Sequence, residues 1–308
     1  MKDFIAISDH TSGEIKNLLD LAVELKKEYF AGGNKPIFEG KVLGMIFQKP
    51  SLRTRVSFDM AMRHCGGDAL YLSPNEIGLG KRESIADIAR VLSGYVQILM
   101  ARTFDHAHVV ELAKWSDVPV INGLSDYNHP CQGMADALTI IEKFGVDSKG
   151  LTVSYVGDAN NVAVSLMHVA AQMGWNFTIA NPEGYDMDPK AVEIGDVIAK
   201  KTGSKFTFLR DPHDAVKGAH VIYTDTWTSM GQEEETARRE KVFPPYQVNA
   251  KLVGEADKDV IVMHCLPAHR NQELTDEVAD GSHSVIFPQA HNRLHAQKAI
   301  LARVLGVA

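Results

Sequence analysis

The chain has 308 residues, of which 45% are hydrophobic and 23% are charged, and its formal net charge is −7. This length predicts two domains, because a single domain usually contains roughly 100 to 200 residues. The composition is typical of a globular enzyme without low-complexity tracts, and the negative charge argues against a broad nucleic-acid-binding surface.

The cysteines and the hydropathy pattern indicate the cellular compartment. Cys65, Cys131 and Cys265 are far apart and odd in number, which favours reduced thiols over a disulfide scaffold. No apolar run is long enough to span a membrane, and the first residues lack the apolar core of a secretion signal. We therefore expect a cytoplasmic protein that does not bind membranes.

Helical and strand patterns alternate along the chain. Residues 12–29 predict an amphipathic helix capped by Thr11 or Ser12, and residues 42–47 predict a buried strand followed by a helix after Ser51. Such alternation is typical of parallel sheets covered by helices on both faces. Further strands are predicted over residues 69–73, 96–101, 118–121, 151–156, 177–180, 206–209, 221–224 and 260–263, and further helices over residues 84–94, 132–144 and 162–173.

This pattern predicts an α/β fold with two Rossmann-like domains, each a parallel sheet flanked by helices. The linker-like segment 145–150 divides them into domains of residues 1–145 and 146–289. The C-terminal helix, about 290–308, is expected to pack back onto the first domain.

The first candidate site is the turn between the strand 42–47 and the following helix. Ser51, Arg53 and Thr54 lie where helix amides and the helix dipole favour an anion, and a guanidinium group can bind a phosphate with two hydrogen bonds. The alternative is a capped surface helix with solvated arginines. Other polar residues also follow predicted strands, where ligands collect in open α/β sheets. They are Arg102, His129 and Gln132.

The sequence Gly-Asp-Ala-Asn-Asn at residues 157–161 joins a strand to a helix but lacks the GxGxxG pattern of a dinucleotide site. No GxxxxGK[ST] loop is present either, so no nucleotide cofactor is expected. The asparagine amides suit the amino and carboxylate groups of an amino acid, and the alternative is a capped helix start.

Three later segments are ambiguous taken singly. Residues 225–231 could be a mobile substrate loop in which Asp225 binds an ammonium group, or a structural loop. Cys265 could be a small core residue or a polarised thiol. Arg293, at the predicted start of the last helix, is by default a surface residue.

The order of these motifs resembles the aspartate/ornithine carbamoyltransferase family. The resemblance extends from Phe47 to Arg293, and its second half, with Asp-x-x-x-Ser-Met-Gly and His-Cys-Leu-Pro, is similar to the ornithine-specific members. It implies transfer of the carbamoyl group of carbamoyl phosphate to the side-chain amine of L-ornithine, giving L-citrulline and phosphate in arginine biosynthesis. It also implies an active site in the cleft between the domains and a homotrimer or a multiple of trimers.

The resemblance also implies roles for single residues and no metal or cofactor. Cys265, Arg102 and His129 would be catalytic. Carbamoyl phosphate would contact Ser51, Leu52, Arg53, Thr54, Arg102, His129, Gln132, Cys265, Leu266 and Arg293, and ornithine would contact Asn161, Asp225, Ser229 and Met230.

One position departs from the family pattern. Relatives often carry a histidine or glutamine that reaches the neighbouring subunit's phosphate, where this chain has Gly78; Lys81 could take its place. The alternatives that stay open are putrescine or another amine as acceptor, and a non-catalytic paralogue that senses carbamoyl phosphate or an amino acid. A nicotinamide-dependent oxidoreductase would need the missing glycines.

Overall fold

The computed structural model describes residues 1–80, 82–228 and 233–308, so Lys81, Ser229 and Met230 lie outside the described residues. The chain divides into two compact units. The first unit comprises Met1–Leu138 and His291–Ala308, and the second comprises Thr139–Ala290. The domain limits derived from the sequence stay a prediction.

All nine strands found in the described ranges are parallel within their sheets. The strands are β1 Val42–Phe47, β2 Asp68–Leu72, β3 Ile98–Arg102, β4 Val120–Leu124, β5 Thr152–Val156, β6 Asn176–Ala180, β7 Phe206–Leu209, β8 Val221–Thr224 and β9 Ile261–His264. The helices are α1 Ser12–Phe30, α2 Leu52–His64, α3 Pro74–Ile77, α4 Ile85–Ser93, α5 His106–Trp115, α6 Pro130–Phe144, α7 Asn161–Met173, α8 Pro189–Thr202, α9 Pro212–Val216, α10 Thr236–Val242, α11 Ala250–Val253, α12 Asp276–Ala279 and α13 Ile286–Val304.

The first unit contains a four-stranded sheet in the order β2-β1-β3-β4. The central strands β1 and β3 are almost entirely buried, which is why they read as continuous apolar runs rather than alternating ones. From β1 the chain moves to β2 on one side and then to β3 and β4 on the other. The strand order therefore reverses between β1 and β3, and ligands bind at the carboxyl ends of strands at such a point.

The second unit contains a five-stranded sheet in the order β7-β6-β5-β8-β9. Its apolar core includes Trp227, Phe243 and Val262. Here the order reverses between β5 and β8. The segments that follow these two strands, residues 157–160 and 225–228, are therefore placed at the second reversal point.

The predicted fold class, two parallel sheets flanked by helices, is confirmed. Thr11 caps α1 with a reciprocal capping box to Glu14, so of the two predicted caps Thr11 is correct. Among the described helices, none is both long and apolar enough to cross a bilayer.

The structure departs from the predicted elements at one strand boundary and in helices that the sequence did not predict. Strand β4 extends to Leu124, beyond the predicted residue 121, and within it the buried Asn122 amide nitrogen donates to the Ile5 carbonyl and the Asn128 side chain. The sequence predicts no helix between the strand 69–73 and the helix 84–94, yet α3 lies there, and Ser73 and Glu76 cap it reciprocally. Helices α5 and α8 were not predicted.

Candidate active site

The turn after β1 leaves the first amides of α2 without a side-chain cap. Ser51 is the N-cap residue as predicted, but its hydroxyl accepts no hydrogen bond from the helix. Leu52 is 76% exposed and Arg53 is partly exposed at the start of the same helix. Arg55 points elsewhere, because its guanidinium lies 4.1 Å from the centre of the Tyr71 ring. An anion is well placed to accept hydrogen bonds from this turn.

Thr54 is the point on which two arginines converge. Its buried hydroxyl oxygen accepts from Arg102 Nη1 at 3.2 Å and from Arg293 Nη2 at 2.8 Å. Arg102 ends β3, and its neighbour Thr54 follows β1, so the reversal of strand order brings them together. Two guanidinium groups held by one neutral oxygen create a strongly positive pocket.

Arg293 lies in the middle of α13 and is 3% exposed, so the default prediction of a surface residue is wrong. The reason is that α13 begins at Ile286, with Pro288 in its first turn, where a missing backbone N–H costs no hydrogen bond. The start predicted near residue 290 placed Arg293 at the helix end. Its guanidinium instead reaches Thr54, and Nη1 donates to Gln132 Oε1 at 2.6 Å.

His129 is a neutral ring beside these arginines. Burial, and then the charges of Arg293, Arg102 and Lys49, lower its pKa well below the ordinary value. Its Nε2 lies 3.2 Å from Arg293 Nη1 and accepts that hydrogen bond, so the neutral ring carries its proton on Nδ1. His129 therefore adds hydrogen-bonding capacity without adding charge.

Two residues of this pocket were missed by sequence reasoning. Asp136 is fully buried and accepts from Gln132 Nε2 at 2.8 Å, which fixes the amide that Arg293 binds. Asp136 comes four residues after Gln132 on the same face of the helix, and this spacing could have indicated the contact between them. Lys49 is 9% exposed and its Nζ lies 4.7 Å from the centre of the Phe104 ring. Its position beside Pro50 and Ser51, in the turn already identified as a candidate site, could have indicated that Lys49 lies in the pocket.

We call Thr54, Arg102, His129, Gln132 and Arg293 the arginine pocket. All five lie in the first unit and contact one another through the hydrogen bonds described.

The second unit contains a separate group around Asp225, which follows β8 and is 5% exposed. Its Oδ1 accepts from Cys265 Sγ at 3.0 Å, and its Oδ2 accepts from Asn160 Nδ2 at 2.8 Å. We call Asp225, Cys265 and Asn160 the carboxylate site. Cys265 is partly exposed, so it is not the buried core residue that was its alternative.

His264 supports the turn that carries Cys265. Its Nδ1 accepts from the Leu266 N–H at 2.8 Å, and its Nε2 lies 3.1 Å from Oε1 of the fully buried Glu273. Leu266 itself is partly exposed and has a positive φ of 58°. Asp225, His264 and Cys265 are close enough to suggest metal ligands. However, both ring nitrogens of His264 and both oxygens of Asp225 already have hydrogen-bond partners, so the group is organised for hydrogen bonding.

Residues 157–161 are tied to the segment after β8. Asn160 is the N-cap of α7, and the predicted ligand Asn161 is the first residue of that helix and is partly buried. Asp158 accepts from Arg239 Nη1 at 2.6 Å, and the same nitrogen donates to the Trp227 carbonyl at 2.7 Å. Asn160 was one of the two asparagines that the sequence singled out, but its contact with Asp225 was not predicted, and Arg239 and Glu273 were not predicted at all, because these contacts join segments far apart in sequence.

The fold and the two sites define a class: a two-unit α/β protein with a cationic pocket for an anion in one unit and a thiol–carboxylate site in the other. The family description "Aspartate/ornithine carbamoyltransferase, carbamoyl-P binding domain" matches residues 2–142, and "Aspartate/ornithine carbamoyltransferase, Asp/Orn binding domain" matches residues 149–304. The chain belongs to the aspartate/ornithine carbamoyltransferase family.

Individual relatives are similar over almost the whole chain. The anabolic ornithine carbamoyltransferase of Pyrococcus furiosus is 52% identical over 305 residues, which is 99% of this chain and 96% of that protein. The ornithine carbamoyltransferase of Bacillus subtilis is 52% identical over 304 residues, 99% of this chain and 94% of that one. The solved structure of the anabolic enzyme of Campylobacter jejuni has a TM-score of 0.94 at 38% identity and covers 99% of both chains.

Proposed function

We propose that this protein is an ornithine carbamoyltransferase of arginine biosynthesis. It transfers the carbamoyl group of carbamoyl phosphate to the side-chain amine of L-ornithine and releases L-citrulline and phosphate. The observation that carries the proposal is the convergence of Arg102 and Arg293 on the Thr54 hydroxyl, next to the neutral His129. The ornithine carbamoyltransferases of P. furiosus and B. subtilis support it by their similarity.

In this proposal the first unit binds carbamoyl phosphate. The phosphate contacts the uncapped start of α2, where backbone amides and the Arg53 guanidinium donate hydrogen bonds. Arg102 bridges the phosphate and the carbonyl oxygen, whereas His129, Gln132 and Arg293 contact the carbamoyl group. The complete set of proposed contacts is Ser51, Leu52, Arg53, Thr54, Arg102, His129, Gln132, Cys265, Leu266 and Arg293.

The second unit binds ornithine in this proposal. Asp225 accepts hydrogen bonds from the α-ammonium group of ornithine, and Asn161 also contacts the amino-acid head. Ser229 and Met230, which lie outside the described residues, complete the proposed set. These contacts favour an acceptor with a free α-amino acid head, which putrescine lacks.

The chemical step is attack of a neutral amine on the carbonyl carbon of carbamoyl phosphate. An alkylammonium group has a pKa of about 10.4, so the site must favour the deprotonated amine. Negative charge then grows on the carbonyl oxygen and on the departing phosphate. Arg102 and the neutral His129 are preorganised donors for this charge. Asp225 and Cys265, which share a hydrogen bond, orient the ornithine head group.

We also propose a cytoplasmic homotrimer or a multiple of trimers. The apolar Val56 on α2 and Leu70 on the edge strand β2 are 49% and 48% exposed, which suits burial against another copy of the chain. The three free cysteines fit a reducing compartment. The role of Lys81 in an intersubunit phosphate contact stays a prediction.

The acceptor assay tests the proposal. Purified protein is incubated with carbamoyl phosphate and, in separate reactions, ornithine, putrescine, N-acetylornithine or aspartate, and each carbamoylated product is quantified. We expect rapid product formation with ornithine only. A faster reaction with putrescine would make the protein an amine carbamoyltransferase of another specificity, and no product with any acceptor would indicate a sensing paralogue.

A further inference from the structure

Asn160 uses the two halves of its side-chain amide for two different purposes. Its Oδ1 accepts from the N–H groups of Val162 at 2.9 Å and Ala163 at 3.2 Å, which caps α7. Its Nδ2 donates to Asp225 Oδ2 at 2.8 Å. The oxygen therefore serves the helix, and the nitrogen serves a residue of the carboxylate site.

The cap alone does not require an asparagine at residue 160. Asp105, Asp188 and Asp211 cap other helices of this chain, each by accepting from the N–H two residues ahead. Aspartate is also favoured electrostatically at a helix N-terminus, because its negative charge is attracted to the positive end of the helix dipole. The feature that aspartate lacks is a donor, and at residue 160 the donor faces Asp225.

The hydrogen bond from Asn160 is one of two that orient the Asp225 carboxylate. One carboxylate oxygen accepts from Cys265 and the other accepts from Asn160, so the orientation of the group is set from both sides. We propose that Asn160 is a positioning residue for ornithine binding, which it supports by holding the Asp225 carboxylate in place with its amide nitrogen. This inference rests on the proposed role of Asp225 in binding the substrate ammonium group.

The backbone around the contact is held independently of Asn160. Thr224 Oγ1 donates to the Val156 carbonyl at 2.7 Å. Arg239 bridges Asp158 and the Trp227 carbonyl. Loss of the Asn160 amide should therefore move the Asp225 side chain while the two segments stay joined.

Several charged or titratable groups face this contact. Asp225 is the nearest, Cys265 lies on its far side, and the Asp158–Arg239 ion pair lies in the same loop region. The Tyr155 hydroxyl donates to Asn160 Oδ1 at 3.3 Å, and burial raises its pKa well above the ordinary value, so it stays a donor. The environment would tolerate a protonated carboxyl at residue 160 but would oppose an ionised one beside Asp225.

The test compares Asn160→Asp with Asn160→Ser across a pH series. Both variants keep an oxygen that can cap α7. In Asn160→Asp, the introduced carboxyl donates to Asp225 when protonated and repels it when ionised. We expect its kcat/KM for ornithine, relative to the unaltered protein, to fall by about tenfold to hundredfold as the pH rises. Asn160→Ser shortens the side chain and removes the amide nitrogen that contacts Asp225, whatever the pH, so its relative loss should not vary with pH.

Two controls separate this role from capping. Asn249 caps α11 with its side-chain oxygen, so Asn249→Asp makes the same exchange away from the carboxylate site and should leave the kinetics unchanged. The Kd of carbamoyl phosphate, measured by calorimetry without ornithine, should be the same in all variants. Asn160→Asp with unaltered kinetics at every pH would overturn the inference.

The Tm of each variant distinguishes loss of the helix cap from loss of positioning. A pH-independent loss of activity in Asn160→Asp that parallels a loss of Tm would also overturn the inference, because a cap alone would then explain it. If Asn160→Asp does not fold, Asn160→Ser decides: a raised ornithine KM at unchanged Tm supports the inference, and an unchanged KM contradicts it. Failure of the proposed function is a different result, since the unaltered protein would then make no citrulline.

Discussion

At the scale of single residues, Arg293 connects more of the arginine pocket than any other side chain we describe there. It donates to Thr54 and Gln132 and lies within hydrogen-bond distance of His129. A guanidinium group can make these contacts together because its donors form a rigid fork. An ammonium group on a flexible chain is a single point of charge and should replace it poorly.

We predict that Arg293→Ala lowers kcat/KM for carbamoyl phosphate by roughly a hundredfold to a thousandfold, which corresponds to about 3 to 4 kcal/mol of transition-state stabilisation. Arg293→Lys should recover little of this loss. Arg303, in the last turn of the same helix and only partly buried, provides the control, and Arg303→Ala should retain full activity. Near-normal activity of Arg293→Ala would remove Arg293 from the proposed carbamoyl site.

The sequence identified the residue types of the pocket but not their environments. Arg102, His129 and Gln132 were predicted from their positions after strands and from the family resemblance. The neutral state of His129 could not be predicted, because it depends on burial and on Arg293, which is 164 residues away in the chain. Asp136 and Lys49 were missed for the same reason: a single polar residue reveals its partner only after folding.

At the scale of elements, Arg239 joins three segments of the second unit. From α10 it binds Asp158 after β5, the Trp227 carbonyl after β8, and Glu235 at 2.9 Å. Asp158 and Arg239 are both buried, so each charge depends on the other. Burial raises the pKa of Asp158, and the charge of Arg239 and its hydrogen bond oppose that rise.

We predict that Arg239→Ala destabilises the fold by about 3 to 5 kcal/mol, because it leaves the Asp158 carboxylate buried without its partner. The adjacent Arg238 is exposed, so Arg238→Ala is a matched control and should change the free energy of unfolding by less than about 0.5 kcal/mol. Denaturant unfolding followed by fluorescence measures both values. Equal effects of the two substitutions would mean that the ion pair has no special role.

The ends of helices and strands were predicted less accurately than their positions. The strands β1, β5 and β8 match their predicted positions closely, because buried parallel strands are short apolar runs. The predicted strand end at residue 121 and the predicted helix start near residue 290 are wrong, because β4 continues to Leu124 and α13 begins at Ile286. Pro288 falls in a first helical turn, and the Asn122 amide nitrogen donates to the distant Ile5 carbonyl, which local patterns do not reveal.

At the scale of the whole molecule, we expect a buried histidine to make the folded protein less stable in acid. His295 is 3% exposed, and burial together with the charge of Lys298 lowers its pKa to about 3. An unfolded histidine takes up a proton below about pH 6.5, whereas this one stays neutral in the folded state. Unfolding therefore takes up a proton, and the stability present above about pH 6.5 is lost as the pH falls toward 3.

We predict that Tm falls when the pH is lowered from about 7.5 to about 5, with about 1 to 2 kcal/mol of the loss due to His295. His295→Gln removes the titrating group and keeps a polar side chain, so its Tm should fall less over the same range. Calorimetry at several pH values measures this difference. Parallel curves for the two proteins would show that His295 does not contribute.

The assembly can be tested at the same scale. If Val56 and Leu70 are buried between copies of the chain, Leu70→Lys should shift the mass measured by light scattering from a multiple of three chains toward one chain. Exposed Val197, on α8 of the second unit, gives a control substitution that should leave the mass unchanged. A monomer in the unaltered protein would contradict the proposed trimer.

The most direct test of the account is the stoichiometry of the reaction. Carbamoyl phosphate and L-ornithine are mixed with the purified protein, and citrulline and inorganic phosphate are measured over time in the same samples. We predict that the two products appear in equal amounts, and that neither exceeds the uncatalysed background with Arg53→Ala. Phosphate release without citrulline, or no release of either product by the unaltered protein, would contradict the assignment of carbamoyl transfer to ornithine.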